Sequence, residues 1–327
     1  MRTLVTGSSG HLGEAILRVL RRQDGKAISI DLKPGAYTDH VGSITDPDFV
    51  DVHMKGVDAV LHTASLHKPH VATHSRQDFV DTNITGTLTL LEAARRHAVS
   101  AFVFTSTTST FGDGLTPPPG APAAWITEDV VPRSKNIYGM TKLAAEDLCW
   151  LFHRRDDLPC IILRTSRFFP EDQDDAAVRR RFSTENSQAI EFLHRRVDIE
   201  DVVSAHLLAA DKARNIGFGR YVISATTPFR ETDLMALRTD AAKVVRRYAD
   251  FEEPFAARGW SMYDTLDRVY VNQRARDELG WRPIHDFATV VNRIACGGTP
   301  LGDLARAVGV KGYHDEVFED GPFPVEA

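Results

Sequence analysis

The sequence predicts an α/β fold: a doubly wound parallel sheet followed by a smaller C-terminal substrate-binding domain. Three observations predict it. Short apolar runs alternate with helix-length amphipathic stretches. The runs are apolar throughout, as strands covered on both faces are. The first of them passes through a glycine-rich turn, VTGSSGHLG at 5–13, straight into a helical stretch.

RTLVT (2–6) is the first strand. HLGEAILRVLRRQ (11–23) follows as a helix, with Leu12, Ile16, Val19 and Leu20 at helical spacing. AISID (27–31) is the second strand. DAVLHTA (58–64) precedes the helical NITGTLTLLEAARRH (83–97), AFVFTS (101–106) precedes YGMTKLAAEDLCWLFHRR (138–155), and CIILRT (160–165) is another buried-type strand. TPPPGAPAAW (116–125) is a proline-rich loop. After Pro170 the rhythm loosens: EDQDDAAVRRRFSTE (171–185) reads as helix or loop, and RYVISA (220–225) as a late sheet strand. The expected division is a nucleotide-binding domain over 1–166, with returns near 196–225 and 264–275, and a mainly substrate-binding portion over 167–327.

Composition narrows the function. The 327 residues carry a net charge of -6, which argues against nucleic acid as a partner. The three cysteines, Cys149, Cys160 and Cys296, lack metal-ligand spacing and read as reduced thiols. No run of 18 apolar residues is present, so no membrane span is expected. The first residues lead directly into a strand, without a signal peptide, and a cytoplasmic location is expected.

Gly7, Gly10 and Gly13 answer a physical need. In a strand–turn–helix the first glycine permits the tight turn, the second lets backbone approach a pyrophosphate, and the third lets helix pack on strand. The phosphates then meet the helix N-terminus, whose free N–H groups and dipole favour anions. An acidic residue ending the second strand should accept from the adenosine ribose, and Asp31 stands there, 18 positions after Gly13. A carboxylate at that point repels a 2′-phosphate, so NAD is expected over NADP.

YGMTK places Tyr138 and Lys142 four residues apart, on one helix face. A phenol ordinarily titrates near about 10 and is a poor base at neutral pH. A neighbouring ammonium is expected to lower that value. The pair can then take a proton from an alcohol while hydride leaves for NAD.

These pieces resemble the extended short-chain dehydrogenase/reductase family, in its NAD-dependent epimerase/dehydratase branch. The matching stretches are TGSSGHLG (6–13), Asp31, HTAS (62–65), TNITGTLTLLEAA (82–94), FTSTTSTFG (104–112), YGMTK (138–142) and LGWRP (279–283). The resemblance implies a Rossmann-like sheet and NAD as cofactor. It assigns Gly7, Gly10, His11, Leu12 and Gly13 to the pyrophosphate loop, and Ser43 and Ile44 to the adenine, with serine in place of the family's aspartate. Thr63, Ala64 and Ser65 pass the ribose, Asn83 orders that region, and Tyr138, Lys142 and Ser166 complete the cofactor set. Thr107 takes the position of the catalytic serine or threonine beside Tyr138 and Lys142, with Thr108 adjacent as a substrate contact.

The pattern thins after the sixth strand. Arg167 stands where an asparagine is usual, so it either binds an acidic group of a smaller substrate or pairs with Glu171, Asp172, Asp174 and Asp175. HRRVDIED (194–201) resembles the stretch in which an arginine contacts substrate phosphate; Arg196 is the candidate, and Asp198 and Asp201 are structural in the family. His67, His70 and His74 follow the fourth strand at spacings of three and four, but Pro69 interrupts a helix there, and no metal site is expected. The aromatic tail at 312–326 reads as packing or an oligomer contact. The implied partner is a small molecule: a sugar, sugar acid or nucleotide sugar. The leading activity is 4-epimerase-like; the alternatives are a dehydrogenase of a free sugar or sugar acid and a non-catalytic NAD sensor. The helices at 85–97 (TGTLTLLEAARRH) and 142–155 (KLAAEDLCWLFHRR) commonly build a dimer interface in this family, and a homodimer is expected.

Overall fold

The computed structural model describes residues 1–23, 25–312, 316 and 318. Apart from 312, 316 and 318, the aromatic tail lies outside the described residues.

The strands are β1 (Arg2–Thr6), β2 (Lys26–Asp31), β3 (His40–Val41), β4 (Ala59–His62), β5 (Ala101–Thr107), β6 (Ala124–Ile126), β7 (Cys160–Thr165), β8 (Phe218–Ile223) and β9 (Arg268–Tyr270). Seven form one sheet in the order β3-β2-β1-β4-β5-β7-β8. The pairings β1·β2, β1·β4, β2·β3, β4·β5 and β5·β7 are all parallel. β4 and β7 are buried along their whole length, as strands between two helical layers must be. Leu4, Ile30, Val60, Phe102 and Phe104 join Leu90, Leu91 and Phe152 in the main core. Chain order reverses at β1, with β2 and β3 on one side and β4, β5 and β7 on the other. Such sheets bind ligands beyond the strand ends at this switch point, where Thr6 of β1 lies opposite His62 of β4.

The chain divides into two compact units. The first holds Met1–Thr110, Ser134–Thr165 and Val202–Tyr221; the second holds Phe111–Arg133, Ser166–Asp201 and Val222–Ala327. The expected return of 264–275 to the large sheet does not occur. β9 instead pairs in parallel with β6, register Trp125 to Val269. Ile126 and Tyr270 bury against Phe111 and Val222, so this segment completes a satellite core of its own.

The helix Ile137–Asp156 carries the YGMTK segment. Asn136 caps it, its side chain accepting from the Gly139 N–H at 3.1 Å, and Asp157 ends it in the left-handed region at φ 52°. Lys142, Ala145, Glu146, Cys149 and Phe152 form its buried face. No helix among the described residues is long and apolar enough to cross a membrane.

Candidate active site

The glycine loop has the geometry that its spacing implies. Gly7 sits at φ +74°, and a Cβ there would meet the Ala64 backbone nitrogen at 2.7 Å. A Cβ on Gly13 would run into the Gly7 carbonyl oxygen. Gly10 is the N-cap of the helix His11–Arg22, and it has no side chain to satisfy the first N–H groups. His11 and Leu12 open that helix and are buried.

Asp31 ends β2 and is held from both sides. Its Oδ2 accepts from the Ser9 N–H at 2.9 Å and its Oδ1 from the Lys33 N–H at 2.8 Å. The Ser9 hydroxyl donates to the Lys33 carbonyl at 2.8 Å, and Thr38 meets both Ser8 (2.8 Å) and Ser9 (2.9 Å). The loop after β2 is thus strapped to the glycine loop. Ser43 spends its hydroxyl locally, accepting from the Thr45 N–H at 3.1 Å. Ile44 is buried against Gly86, where a Cβ would come within 2.6 Å of its Cδ1.

Beyond β4, Thr63 donates to the Thr6 carbonyl at 2.6 Å and the Ala64 N–H donates to the Thr6 hydroxyl at 3.1 Å. Ser65 follows, half-buried. Asn83 brackets Leu66, accepting from its N–H and donating to its carbonyl, both at 2.9 Å, and also donates to the Thr141 hydroxyl at 3.0 Å. It therefore ties the strand end to the helix that carries Lys142. His62, fully buried, lies between Thr6 (2.8 Å) and Thr87 (3.0 Å). Thr87 gives its proton to the Asn83 carbonyl at 2.7 Å, so it accepts from His62 Nε2–H, which fixes a neutral tautomer with Nδ1 facing Thr6. Burial, reinforced by Lys142, holds His62 well below the usual imidazole range.

Thr107, Tyr138 and Lys142 come together. The Thr107 oxygen accepts from the Ser109 N–H at 3.1 Å, and its hydroxyl hydrogen-bonds the Tyr138 phenol. Thr108 is buried next in line. Lys142 is 2% exposed, with Nζ 4.0 Å from the centroid of the Phe104 ring. The electrostatics differ from the sequence expectation. Burial pushes the Tyr138 phenol up to about 12, and the opposing influence is the Thr107 hydrogen bond, not the lysine. Burial also draws Lys142 down to about 7, against the pull of Cys149 and Glu146. Desolvation acts on both members of the pair and disfavours the charged form of each.

A second buried group supports these residues and was not read from the sequence. Ser106 donates to Glu146 at 2.6 Å, and Arg164 binds the same carboxylate with Nη2 at 2.7 Å. Two signals were present: a glutamate one turn after Lys142 on a buried helix face, and an arginine inside the apolar run CIILRT.

In the second unit, Arg167 takes the pairing reading. It donates to Asp174 at 2.8 Å and to the carbonyls of Glu171 (3.0 Å) and Asp172 (2.6 Å). Arg196 corrects the expectation of a substrate contact. It is 1% exposed, with Nε 2.9 Å from Glu191 Oε2 and Nη1 2.9 Å from the Phe169 carbonyl oxygen, so its fork is enclosed by its own chain. Asp201 accepts from the backbone of Ile284 and His285, both at 2.9 Å, and from Asp201 the carbonyl receives Trp281 Nε1–H at 3.2 Å. Ser166, directly after β7, donates its backbone N–H to Ile223, while its buried hydroxyl has no partner.

His67 and His70 pack edge to face at 4.5 Å, and the His67 N–H donates to His70 Nδ1 at 3.1 Å. Among the described residues, the cluster with metal-ligand spacing is instead Asp198, Glu200 and His285. There Asp198 accepts from Gly302 N–H (2.7 Å) and Glu200 N–H (3.0 Å), and Arg293 donates to His285 Nδ1 at 2.6 Å. The cluster is held by hydrogen bonds within the chain.

Parallel sheet, glycine cradle and strand-end carboxylate define a dinucleotide-binding α/β protein. The profile described as the NAD dependent epimerase/dehydratase family matches residues 3–224. The chain belongs to that family, and its sheet is Rossmann-like. It is 27% identical over 201 residues to "Uncharacterized UDP-glucose epimerase YtcB" of Bacillus subtilis, covering 55% of this chain and 61% of that one. It is 29% identical over 194 residues to "Uronate dehydrogenase" of Pseudomonas syringae pv. tomato, covering 56% and 64%. The chain thus spans less than two thirds of these relatives' length. Among solved structures, a short-chain dehydrogenase/reductase superfamily protein from Agrobacterium tumefaciens with bound NAD superposes with a TM-score of 0.65 at 23% identity, covering 94% of this chain and 97% of that one.

Proposed function

We propose that the protein catalyses hydride transfer between NAD and a hydroxyl-bearing carbon of a sugar or sugar derivative, with a 4-epimerase-like outcome as the leading reading. The observation that carries it is the Thr107–Tyr138 hydrogen bond with Lys142 one helical turn away. The cradle at Gly7 and Gly13 and the Asp31 carboxylate fit a dinucleotide. Bound NAD supplies the hydride acceptor and, when oxidised, a positive ring.

Thr107 orients the substrate hydroxyl toward Tyr138. Tyr138 receives the hydroxyl proton as the C–H electron pair leaves with its hydrogen and the carbon–oxygen double bond forms. Because burial, opposed by the Thr107 hydrogen bond, pushes the phenol up to about 12, the role requires added positive charge beside it, and Lys142 contributes when protonated. Asn83, bonded to Thr141, keeps the Lys142 helix in register with the end of β4.

A dehydrogenase of a free sugar or sugar acid is the second reading, supported by the likeness to a uronate dehydrogenase. Absorbance of NADH during turnover separates the two: accumulation marks a dehydrogenase, and conversion without it marks an epimerase. Tyr138→Phe tests the site itself, with an expected loss of about 100-fold or more. Undiminished turnover removes Tyr138 from the catalytic assignment, whereas the absence of turnover by the parent on any sugar, with NAD bound, favours a non-catalytic NAD sensor.

We also propose a cytoplasmic homodimer. Support comes from exposed Leu88 on the helix Gly86–Arg96 and from Met140, Trp150 and Leu151 on the helix Ile137–Asp156, apolar side chains that a second copy would cover. Sedimentation at low concentration tests it, and a monomer would refute it.

A further inference from the structure

Lys142 and Glu146 stand one turn apart on the helix Ile137–Asp156, a spacing that ordinarily lets an ammonium meet a carboxylate. Here the two do not pair. Other elements occupy the Glu146 carboxylate: Ser106 of β5 donates to Oε1 at 2.6 Å, Arg164 of β7 donates to Oε2 at 2.7 Å, and Arg220 Nε of β8 lies 3.3 Å from Oε2. Lys142 is buried, and among the described residues its Nζ makes no hydrogen bond or ion pair.

The ammonium meets an aromatic face instead. Nζ lies 4.0 Å from the centroid of Phe104, a ring of β5 that is itself fully buried and packed into the main core. Phe104 and Ser106 are two residues apart on one strand and share a face, so the ring turns to Lys142 as the hydroxyl turns to Glu146. His62 of β4 lies opposite Phe104 in register, with its ring 5.5 Å away, and is held neutral between Thr6 and Thr87. It brings no anion to the lysine. Burial draws the amine down, and Cys149 and Glu146 of its own helix oppose that pull from a distance. A cation so shielded from water gains more from the negative face of a ring than an exposed one does.

We propose that Phe104 is a positioning residue: its ring seats the Lys142 ammonium and sustains its charge in place of the Glu146 carboxylate, which Arg164 and Ser106 hold elsewhere. The inference rests on the function proposed above, in which Lys142 contributes its charge to Tyr138, and deepens it. A ring face has no lone pair, so it steadies the ammonium without claiming its three N–H groups. A carboxylate at the same place would bind those groups and cancel the charge that the phenol needs.

The test is the titration of Lys142 in the whole protein without NAD, followed by NMR of isotope-labelled lysine Cε, with Lys142→Met to identify its signal. Phe104 is replaced by 4-fluorophenylalanine and by 3,4,5-trifluorophenylalanine, which nearly keep the shape of the ring and weaken its negative face stepwise. The Lys142 midpoint should fall stepwise, by about one pH unit in all, a tenfold loss of proton affinity or about 1.4 kcal/mol. Urea unfolding gives the same quantity by a second route. The stability gained between pH 6 and pH 9 should widen along the series, because the folded amine then stays neutral to lower pH while the unfolded one does not. A midpoint that holds or rises, or a stability difference that stays constant, would overturn the proposal. With NAD and a turned-over sugar, the alkaline limb of kcat/KM should move down with the midpoint. If the midpoint falls while that limb stays, the ring is still the seat of the ammonium, and the role given to Lys142 in turnover fails.

Discussion

Arg164 on β7 clasps Glu146 on the helix Ile137–Asp156, with Nη2 2.7 Å from Oε2 and Nε 3.0 Å from Oε1. Both side chains are buried, at 4% and 0% exposed. Ser106 reaches the same carboxylate from β5, directly before Thr107. The clasp thus joins the element carrying Tyr138 and Lys142 to the strand carrying Thr107. Removing one buried partner strands the other's charge, at a cost of about 3–5 kcal/mol. Glu146→Ala and Arg164→Ala are each expected to lower the urea midpoint by that order. Glu146→Leu with Arg164→Met should recover much of the loss, since neither charge is then stranded. Single variants that unfold at the parent midpoint would show that the clasp contributes nothing.

Lys142 gives a pH-dependent prediction. Its amine is drawn from 10.5 to about 7 in the folded state. Between these values the unfolded chain binds more protons than the native one, so stability rises with pH across that window. Below it, the folded protein carries the full cost of a buried ammonium. Lys142→Met is therefore expected to raise the melting temperature at pH 6, with the gain shrinking as pH rises toward 10. The same variant should lose turnover. A melting difference that is constant with pH would mean that Lys142 does not titrate in this range.

Much of this was legible because a parallel sheet writes itself as continuous apolar runs. RTLVT, AISID and CIILRT carry β1, β2 and β7, and the glycine spacing gave the turn between β1 and its helix. Proximity created by folding was not legible. Nothing in the one-dimensional pattern places Arg164 against Glu146, 18 residues away, or Ser187 beside Tyr263. The direction of the Tyr138 shift was missed for a related reason. The spacing of Tyr138 and Lys142 is local, whereas desolvation depends on the whole surroundings. Arg196 was misread because an arginine looks like a ligand contact until its carboxylate partner, Glu191 five residues before, is seen folded under it.

Asp31 should govern cofactor choice. Both its oxygens already receive backbone N–H groups, from Ser9 and Lys33, which fixes the carboxylate at the end of β2. A fixed negative charge there repels a 2′-phosphate. Asp31→Asn preserves shape and removes the charge. Its NADP-to-NAD affinity ratio is expected to rise by about tenfold, worth about 1.4 kcal/mol, in a fluorescence titration with NADH and NADPH. An unchanged ratio would show that discrimination lies elsewhere.

His206 should set part of the acid limit. It is fully buried on the helix Ile199–Ile216, with Nδ1 2.8 Å from the Val202 carbonyl oxygen and Nε2 2.7 Å from the Thr105 hydroxyl. The carbonyl can only accept, so Nδ1 carries the proton and Nε2 accepts from Thr105. Burial lowers the ring from 6.5 to about 4. Between those values the unfolded chain takes up a proton that the folded chain refuses. The stability is fully present above 6.5 and is lost as pH falls toward about 4. His206→Gln should lower the urea midpoint at neutral pH, because the Thr105 and Val202 contacts are disturbed. It should also lose less than the parent between pH 6.5 and 4.5, leaving a shallower acid limb. His62 and His194, depressed in the same direction, keep that limb from becoming flat. Parallel acid limbs in parent and variant would mean that His206 takes up its proton in the folded protein as readily as in the unfolded chain.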